Sequence, residues 1–330
     1  GAGYAGLAWT GATWSVAACA VTNTRTLGAE LFSNPGFEGT YDTEAVGIDI
    51  APGWDNRLLD TLIDTASKEL TIIHGGSAAQ KFVVDATLEG VVSESIAVTA
   101  NAWYLVLAWV KTDSGTPQFN MQNFTGNLPG LGVSVAISTT YSLLVATVRA
   151  ITTGNDNVRL VSNVAGTYYV DDASIKAITL STLFRSLSAG VADVMVDVSV
   201  TSLVNTYAGL VLNLDSAASP ANFVIAYVDR GTATAKIDKC VAGVYTSVVS
   251  VAVTYSAGAV LRVQKTTTAY RLYYNNLLVG SGTISDAGII NNALHGLFSP
   301  YSANSFDSFV VYACGSNGEY EAALNPFVGL

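Results

Sequence analysis

The sequence predicts an all-β chain built as two tandem β-sandwich domains of jelly-roll type. Three observations carry that expectation: apolar residues recur with period two, turn signals punctuate the strands, and helical periodicity is weak throughout. In Asp193-Val194-Met195-Val196-Asp197-Val198-Ser199-Val200-Thr201 every even position is valine and most odd ones are polar. That alternation is the mark of a half-buried strand. Leu210, Leu212 and Leu214 repeat it against Asn213 and Asp215. Phe223-Val224-Ile225-Ala226-Tyr227-Val228 is apolar on both faces, as an inner sandwich strand should be, and stops at Asp229-Arg230-Gly231. Tyr270, Leu272 and Tyr274 lead into Asn275-Asn276, a two-residue hairpin signal because asparagine tolerates positive φ. The best helical candidate, Leu58 to Leu70, contains Thr61, Asp64 and Thr65 and reads as one short helix or a strand edge.

At about 150 residues per domain, 330 residues make two. The boundary falls near residue 178, after the closing strand Tyr168-Tyr169-Val170-Asp171-Asp172-Ala173-Ser174-Ile175 and before a new strand series at Leu180 to Leu187. The first sandwich is therefore expected at 27–178 and the second at 179–315. Residues 1–26 form a strand or linker segment, in which Trp14-Ser15-Val16 can pair with a neighbouring module. Residues 316–330 form a tail that reads as a loop or docking peptide. A start at Gly1 rather than Met fits a processed product or a piece of a longer polypeptide.

Half of the chain is hydrophobic and only 12% is charged, with 15 basic against 25 acidic residues for a net charge of −10. Such a chain buries enough apolar surface to fold. It lacks the clustered Lys and Arg that nucleic acid requires. Its best apolar run, Ala102 to Val110, is far short of the ~20 residues of a membrane span. Cys19, Cys240 and Cys314 are too scattered for a disulfide framework or a zinc site. Scarce charge with abundant Ser, Thr, Val, Ala and Gly fits an extracellular or virion surface.

Specific motifs add resemblances. Glu30-Leu31-Phe32-Ser33-Asn34-Pro35-Gly36-Phe37-Glu38, Pro52-Gly53-Trp54, Ser93 to Val98, Trp103 to Lys111 with Ser114-Gly115, and Val170 to Ile175 stand in order along the first module. This ordered set resembles the jelly-roll carbohydrate-binding modules attached to bacterial xylanases and cellulases. In the second module, Ile237-Asp238-Lys239, Gly243-Val244-Tyr245-Thr246, Leu261-Arg262-Val263, Tyr270 to Gly280, Gly296-Leu297-Phe298 and Phe306 to Val311 resemble a concanavalin-like, laminin-G-like sandwich. The tandem of two such charge-poor modules is similar in style to tailed-phage virion proteins.

The first resemblance implies a structural calcium where the opening and closing strands meet, with Glu38, Asp171 and Asp172 at the matching positions. The bland alternative is that the two aspartates are solvated strand-end residues. The resemblance also implies sugar binding on an exposed aromatic platform, for which Trp54, Trp103, Trp109, Tyr41 and Phe119 are the candidates. Because both faces of the strand Trp103 to Val110 are apolar, Trp103 and Trp54 read more readily as core, and Trp109 near the strand end is the better platform.

Catalysis has little support. His295 sits in an apolar strand and reads as a satisfied structural histidine, while His74 precedes Gly75-Gly76 on a turn with no nucleophile motif nearby. No pair of carboxylates stands at a recognisable glycosidase spacing. The sequon Asn123-Phe124-Thr125 matters only in a eukaryotic secretory pathway. The expectation is a non-catalytic surface adhesion protein whose partners are glycans or neighbouring copies and modules of a larger assembly. The alternatives are a purely structural capsid, tail or filament subunit, and a glycan-cleaving enzyme.

Overall fold

The structure, a computed structural model, describes residues 10–11, 14–17, 20–60, 63–203, 206–314 and 320–324, with the backbone alone for 10–23, Ser202 and 320–324. The chain divides into two compact units, Leu27–Ala177 and Ile178–Leu330, and Gly1–Thr26 goes with the second. Both units are β-sandwiches.

In the first unit a five-stranded sheet runs in the order Gly132–Ala136, Gln118–Asn123, Val158–Ser162, Gly90–Ser93, Trp54–Arg57. The larger sheet runs Ser142–Arg149, Trp103–Thr112, Gly166–Ile178, Ala79–Val84, Thr65–Glu69, Ile48–Ile50, Asp42–Ala45, with Leu27–Glu30 also paired to Gly166–Ile178. Ile96–Val98 and Gly154–Asp156 form a separate two-stranded ribbon. Alternation decides what goes inside. Tyr104, Val106, Ala108 and Val110 point into the core between the sheets, where Phe82, Phe119, Met121, Leu160 and Tyr168 meet them. Their neighbours Trp103, Leu105, Leu107 and Trp109 take the outer face. In Gly166–Ile178 the inward residues are Tyr168 and Val170 but then Ala173 and Ile175, so one extra residue enters the alternation. Asp172, at φ 45°, absorbs it, because a short polar side chain tolerates the left-handed region.

The second unit pairs a sheet ordered Phe184–Ser188, Leu294–Phe298, Tyr207–Leu214, Phe223–Asp229, Thr234–Val241, Val244–Ala252 with one ordered Ser305–Cys314, Val194–Ser202, Ala259–Thr266, Ala269–Tyr274, Leu277–Thr283. Val194, Val196, Val198 and Val200 are all fully buried, and every residue of Phe223–Asp229 is buried. Asn275 and Asn276 have φ of 49° and 66°, the conformation that a tight hairpin between right-twisted strands demands. The segment Leu58 to Leu70 resolves as the strand Thr65–Glu69 rather than a helix. Leu180–Leu183 is a short 3-10 turn, and the second strand series opens only at Phe184. Thr10–Gly11 extends the first sheet beside Phe184–Ser188. The hairpin Trp14–Ala17 and Ala20–Asn23 joins the second sheet at Ser305–Cys314. Within the tail, Tyr320–Leu324 is a strand against Ser305–Cys314, which corrects the loop expectation for that stretch. Cys19 lies outside the described residues.

Candidate functional site

The acidic residues expected at the junction of the opening and closing strands do converge, and they converge on the loop 70–78. Glu38 Oε1 accepts from the Ser77 amide at 2.6 Å and the Ala78 amide at 3.3 Å, while Oε2 accepts from the Ser77 hydroxyl. Asp171, fully buried, accepts from the His74 amide at 2.7 Å, the Gly75 amide at 3.0 Å and the Asp172 amide at 2.8 Å. Asp172 holds the His74 ring, Oδ2 to Nδ1, at 2.6 Å. Gly76, at φ 65°, allows the Glu38 carboxylate to approach where a Cβ would collide with Oε1. The Ser77 hydroxyl and amide hold the Glu38 carboxyl below its usual range, whereas burial pushes that of Asp171 up.

Calcium needs several unoccupied oxygens converging on one point. Here Glu38 and Asp171 accept from N–H and O–H groups and Asp172 Oδ2 holds the His74 ring, so a calcium ion would have to compete with those bonds. Thermal melts in millimolar calcium and in excess chelator are expected to superimpose. A rise in Tm with calcium that Glu38→Gln abolishes would show instead that the loop rearranges to seat the ion. Among the described residues, the acids whose oxygens all lie within 4.8 Å of one another are Asp64, Asp85 and Glu89, a group that sequence reading missed. They too are engaged locally: Asp64 accepts from the amides of Asp60 and Asp85, and Glu89 from that of Ala86.

The aromatic candidates separate by burial. Trp54 is 3% exposed, stacked on Phe37 at 4.6 Å, with its indole N–H donated to the Asn34 carbonyl at 2.9 Å. Phe119 is fully buried against Phe82 and Tyr168. Neither presents a ring face to a ligand, because the inward half of each strand's alternation carries it into the core; Phe119 is corrected to a core residue, and Trp54 takes the core reading over the platform one. Tyr41 is half-buried and donates its hydroxyl to the Phe37 carbonyl at 2.9 Å. Trp109 is half-buried, and the His74 ring lies on it with centroids 4.0 Å apart and planes 16° apart. Tyr141 meets the same histidine edge-on and donates to the Ile72 carbonyl at 3.0 Å. The loop 70–78 thus caps Trp109. Elsewhere on that outer face Trp103, Leu105, Val145, Thr147 and Tyr169 are all buried.

The outer face of the five-stranded sheet is buried at Gly90, Val161 and Asn120 and more open around them. Strand register places Arg57, Gly90, Val161, Asn120 and Ser134 in one row across it. Asp55, Val92, Arg159, Gln122 and Gly132 form the next row. At Gly90, φ 152°, a Cβ would strike the Leu160 carbonyl, so no side chain stands at that position between the two arginine-bearing strands, and the glycine itself is buried. Asn120 is paired with Asn163. Beside these rows Phe124, just past the strand Gln118–Asn123, is 53% exposed. The Arg57 and Arg159 guanidiniums stand 5.4 Å and 6.0 Å from its ring centre. Both arginines are half-buried, and the Nε atoms of both are buried with no hydrogen-bond partner. Phe124 is anchored from behind: its amide donates to the Asn157 carbonyl at 2.9 Å, and the following Thr125 donates amide and hydroxyl to buried Asp156.

An exposed ring, primary amides and guanidiniums on a flat sheet face can hold a polyhydroxylated ligand: the ring takes the apolar face of a sugar and the polar groups its hydroxyls. Sequence reading missed this face. Alternation puts Arg159 opposite Val158 and Leu160, but only the strand pairing brings it to Arg57 and Phe124.

No protein-family model matches the sequence, and no curated protein sequence matches it. Among solved structures, the chain is similar to the carbohydrate-binding module CBM66 from Bacillus subtilis, at 15% identity over 41% of this chain and 89% of that one, with a TM-score of 0.34. It is similar to TmCBM61 in complex with β-1,4-galactotriose, at 19% identity over 45% of this chain and 98% of that one, with a TM-score of 0.33. The N-terminal CBM22-1–CBM22-2 tandem domain of Paenibacillus barcinonensis Xyn10C aligns over 89% of this chain and 99% of that one at 9% identity, with a TM-score of 0.34. Likeness at this level assigns no ligand to this chain.

Proposed function

We propose that the protein is a non-catalytic, glycan-binding adhesion protein of a virion surface or a larger secreted polypeptide, and that its first unit binds sugar on the outer face of the five-stranded sheet. The observation that carries this reading is Phe124, an exposed ring shared by two guanidiniums, neither of which is in an ion pair among the described residues. In water such a ring is favourably covered by the C–H face of a pyranose. Gln122, half-buried on the adjoining row, supplies a donor and an acceptor for ring hydroxyls. Trp109 is the weaker platform because His74 already occupies a face of its ring.

A glycan array probed with the full chain tests the reading. Wild type is expected to give a defined set of positives, and Phe124→Ala to weaken them by about fivefold or more, by analogy with the ~1–3 kcal/mol that a base stacked on an aromatic ring loses on truncation. Positives that Phe124→Ala leaves unchanged would place binding elsewhere.

The structural-subunit alternative draws on one observation. The strand Leu277–Thr283, at an edge of its sheet, exposes Leu277 (71%) and Leu278 (57%) side by side. An apolar pair on an edge strand favours pairing with another chain. Concentration-dependent assembly in light scattering, abolished by a Leu277→Ser/Leu278→Ser variant, would support that reading.

A further inference from the structure

We propose that the Arg57–Arg159 pair selects an acidic sugar, its carboxylate or sulfate group seated between the two guanidiniums beside Phe124. This inference rests on the glycan reading of that face. Two cations share one ring at 5.4 Å and 6.0 Å, and among the described residues neither takes part in an ion pair. The chain carries 25 acidic residues, so carboxylates were available to neutralise these arginines. The acid in these two rows, Asp55, is two residues along the strand from Arg57, about 7 Å, and two strands from Arg159, about 10 Å, and among the described residues it pairs with neither.

The arrangement is unfavourable in the absence of a ligand. Burial, and then the neighbouring charge of Arg57, lower the pKa of Arg159. Each Nε–H is buried without an acceptor, which costs about as much as a lost hydrogen bond. An oxyanion offsets the repulsion between the two charges: the outer N–H groups of guanidinium forks match carboxylate and sulfate oxygens with paired, charge-assisted hydrogen bonds. A neutral sugar hydroxyl removes neither the repulsion nor the charge. The ring of Phe124 then takes the sugar bearing the anion.

The test uses the full chain and calorimetric titration with three tetrasaccharides: α-1,4-galacturonate, its fully methyl-esterified counterpart, and a sulfated neocarrageenan that lacks carboxylates. At least one acid form is expected to bind about tenfold or more tightly than the ester, with an affinity that falls as salt rises. Arg57→Gln and Arg159→Gln, tested separately, are each expected to reduce that acid to the level of the ester. Tm should change little in either, since relief of the repulsion between the two guanidiniums offsets the cation–ring contact that is lost. Preference for galacturonate identifies the carboxylate as the ligand group, and preference for neocarrageenan identifies the sulfate. If neither acid binds more tightly than the ester, or if the preference survives both substitutions, the inference is overturned. A neutral array positive that still depends on Phe124 would then leave the glycan reading standing. Loss of that dependence as well would remove both.

Discussion

Replacing Asp156 with alanine is expected to destabilise the first unit by at least about 3 kcal/mol, a large part of the 5–15 kcal/mol that holds a domain folded. Asp156 is fully buried. It accepts from the amides of Thr125 (2.9 Å), Leu128 (2.9 Å), Asn157 (2.8 Å) and, more weakly, Phe124 (3.4 Å), and from the Thr125 hydroxyl at 2.7 Å. Burial alone would raise its pKa. The bonds from Thr125, Asn157 and Leu128 outweigh that, and the carboxyl stays below its usual range. A folded pKa below the unfolded one gives stability that is present above the unfolded value and is lost as pH falls through the folded value. Truncation leaves several buried N–H groups without an acceptor, and asparagine turns an NH2 group towards at least one of them. Because the same bonds fix Phe124 and Thr125, the substitution should also abolish the sugar site. Trp54, Trp103 and Trp109 lie in this unit, but Trp9 and Trp14 are grouped with the other. Denaturant melts are therefore best followed by hydrogen exchange of the strands Gln118–Asn123 and Val158–Ser162, which belong to the first unit alone. An unchanged midpoint in Asp156→Ala would mean that the carboxylate does not organise the loop.

The second large effect belongs to His295 in the other unit. It is fully buried; Nδ1 accepts from the Asn213 amide at 3.3 Å, which leaves Nε2–H to donate to the Val191 carbonyl at 3.2 Å. Burial lowers its pKa from 6.5 to about 4, with nearby Lys265 pushing the same way. The sign follows from the unfolded chain taking the proton first. Above pH ~6.5 the histidine is neutral in both states and carries no penalty; between ~6.5 and ~4 stability falls; below that the loss is complete. At 1.36 kcal/mol per pH unit the full loss is about 3 kcal/mol. Hydrogen exchange of the strands Tyr207–Leu214 and Leu294–Phe298 across this window should show it. In His295→Gln the slope should be shallower by that amount, whatever the variant's stability at pH 7. Equal slopes would mean that other groups carry the acid sensitivity.

The sequence made the strands legible because period two is a local signal. The valines at 194, 196, 198 and 200 and the turn at Asn275-Asn276 need no partner to be read. Junction acids were legible too, through the motif that ends at Glu38 and the pair at Asp171-Asp172. What the motif could not supply was the role those carboxylates take in the structure, which is to close the loop 70–78 through its own amides. Trp54 is core, as its sequence context favours; Phe119 is the aromatic candidate that fails, because which side of its strand faces inward is not written in its immediate neighbours. Arg57, Phe124 and Arg159 lie far apart in sequence and meet only through register across Gly90–Ser93. Non-local pairing of that kind leaves no trace in composition or spacing.

Hydroxyl-radical footprinting of the full chain, with and without the strongest array glycan, tests the central claim most directly. The account predicts protection of Phe124 and of the strand Gln118–Asn123, with Trp109 and Tyr141 as reactive in the complex as in the free protein. Protection confined to Trp109 and Tyr141, or to the second unit, would contradict it.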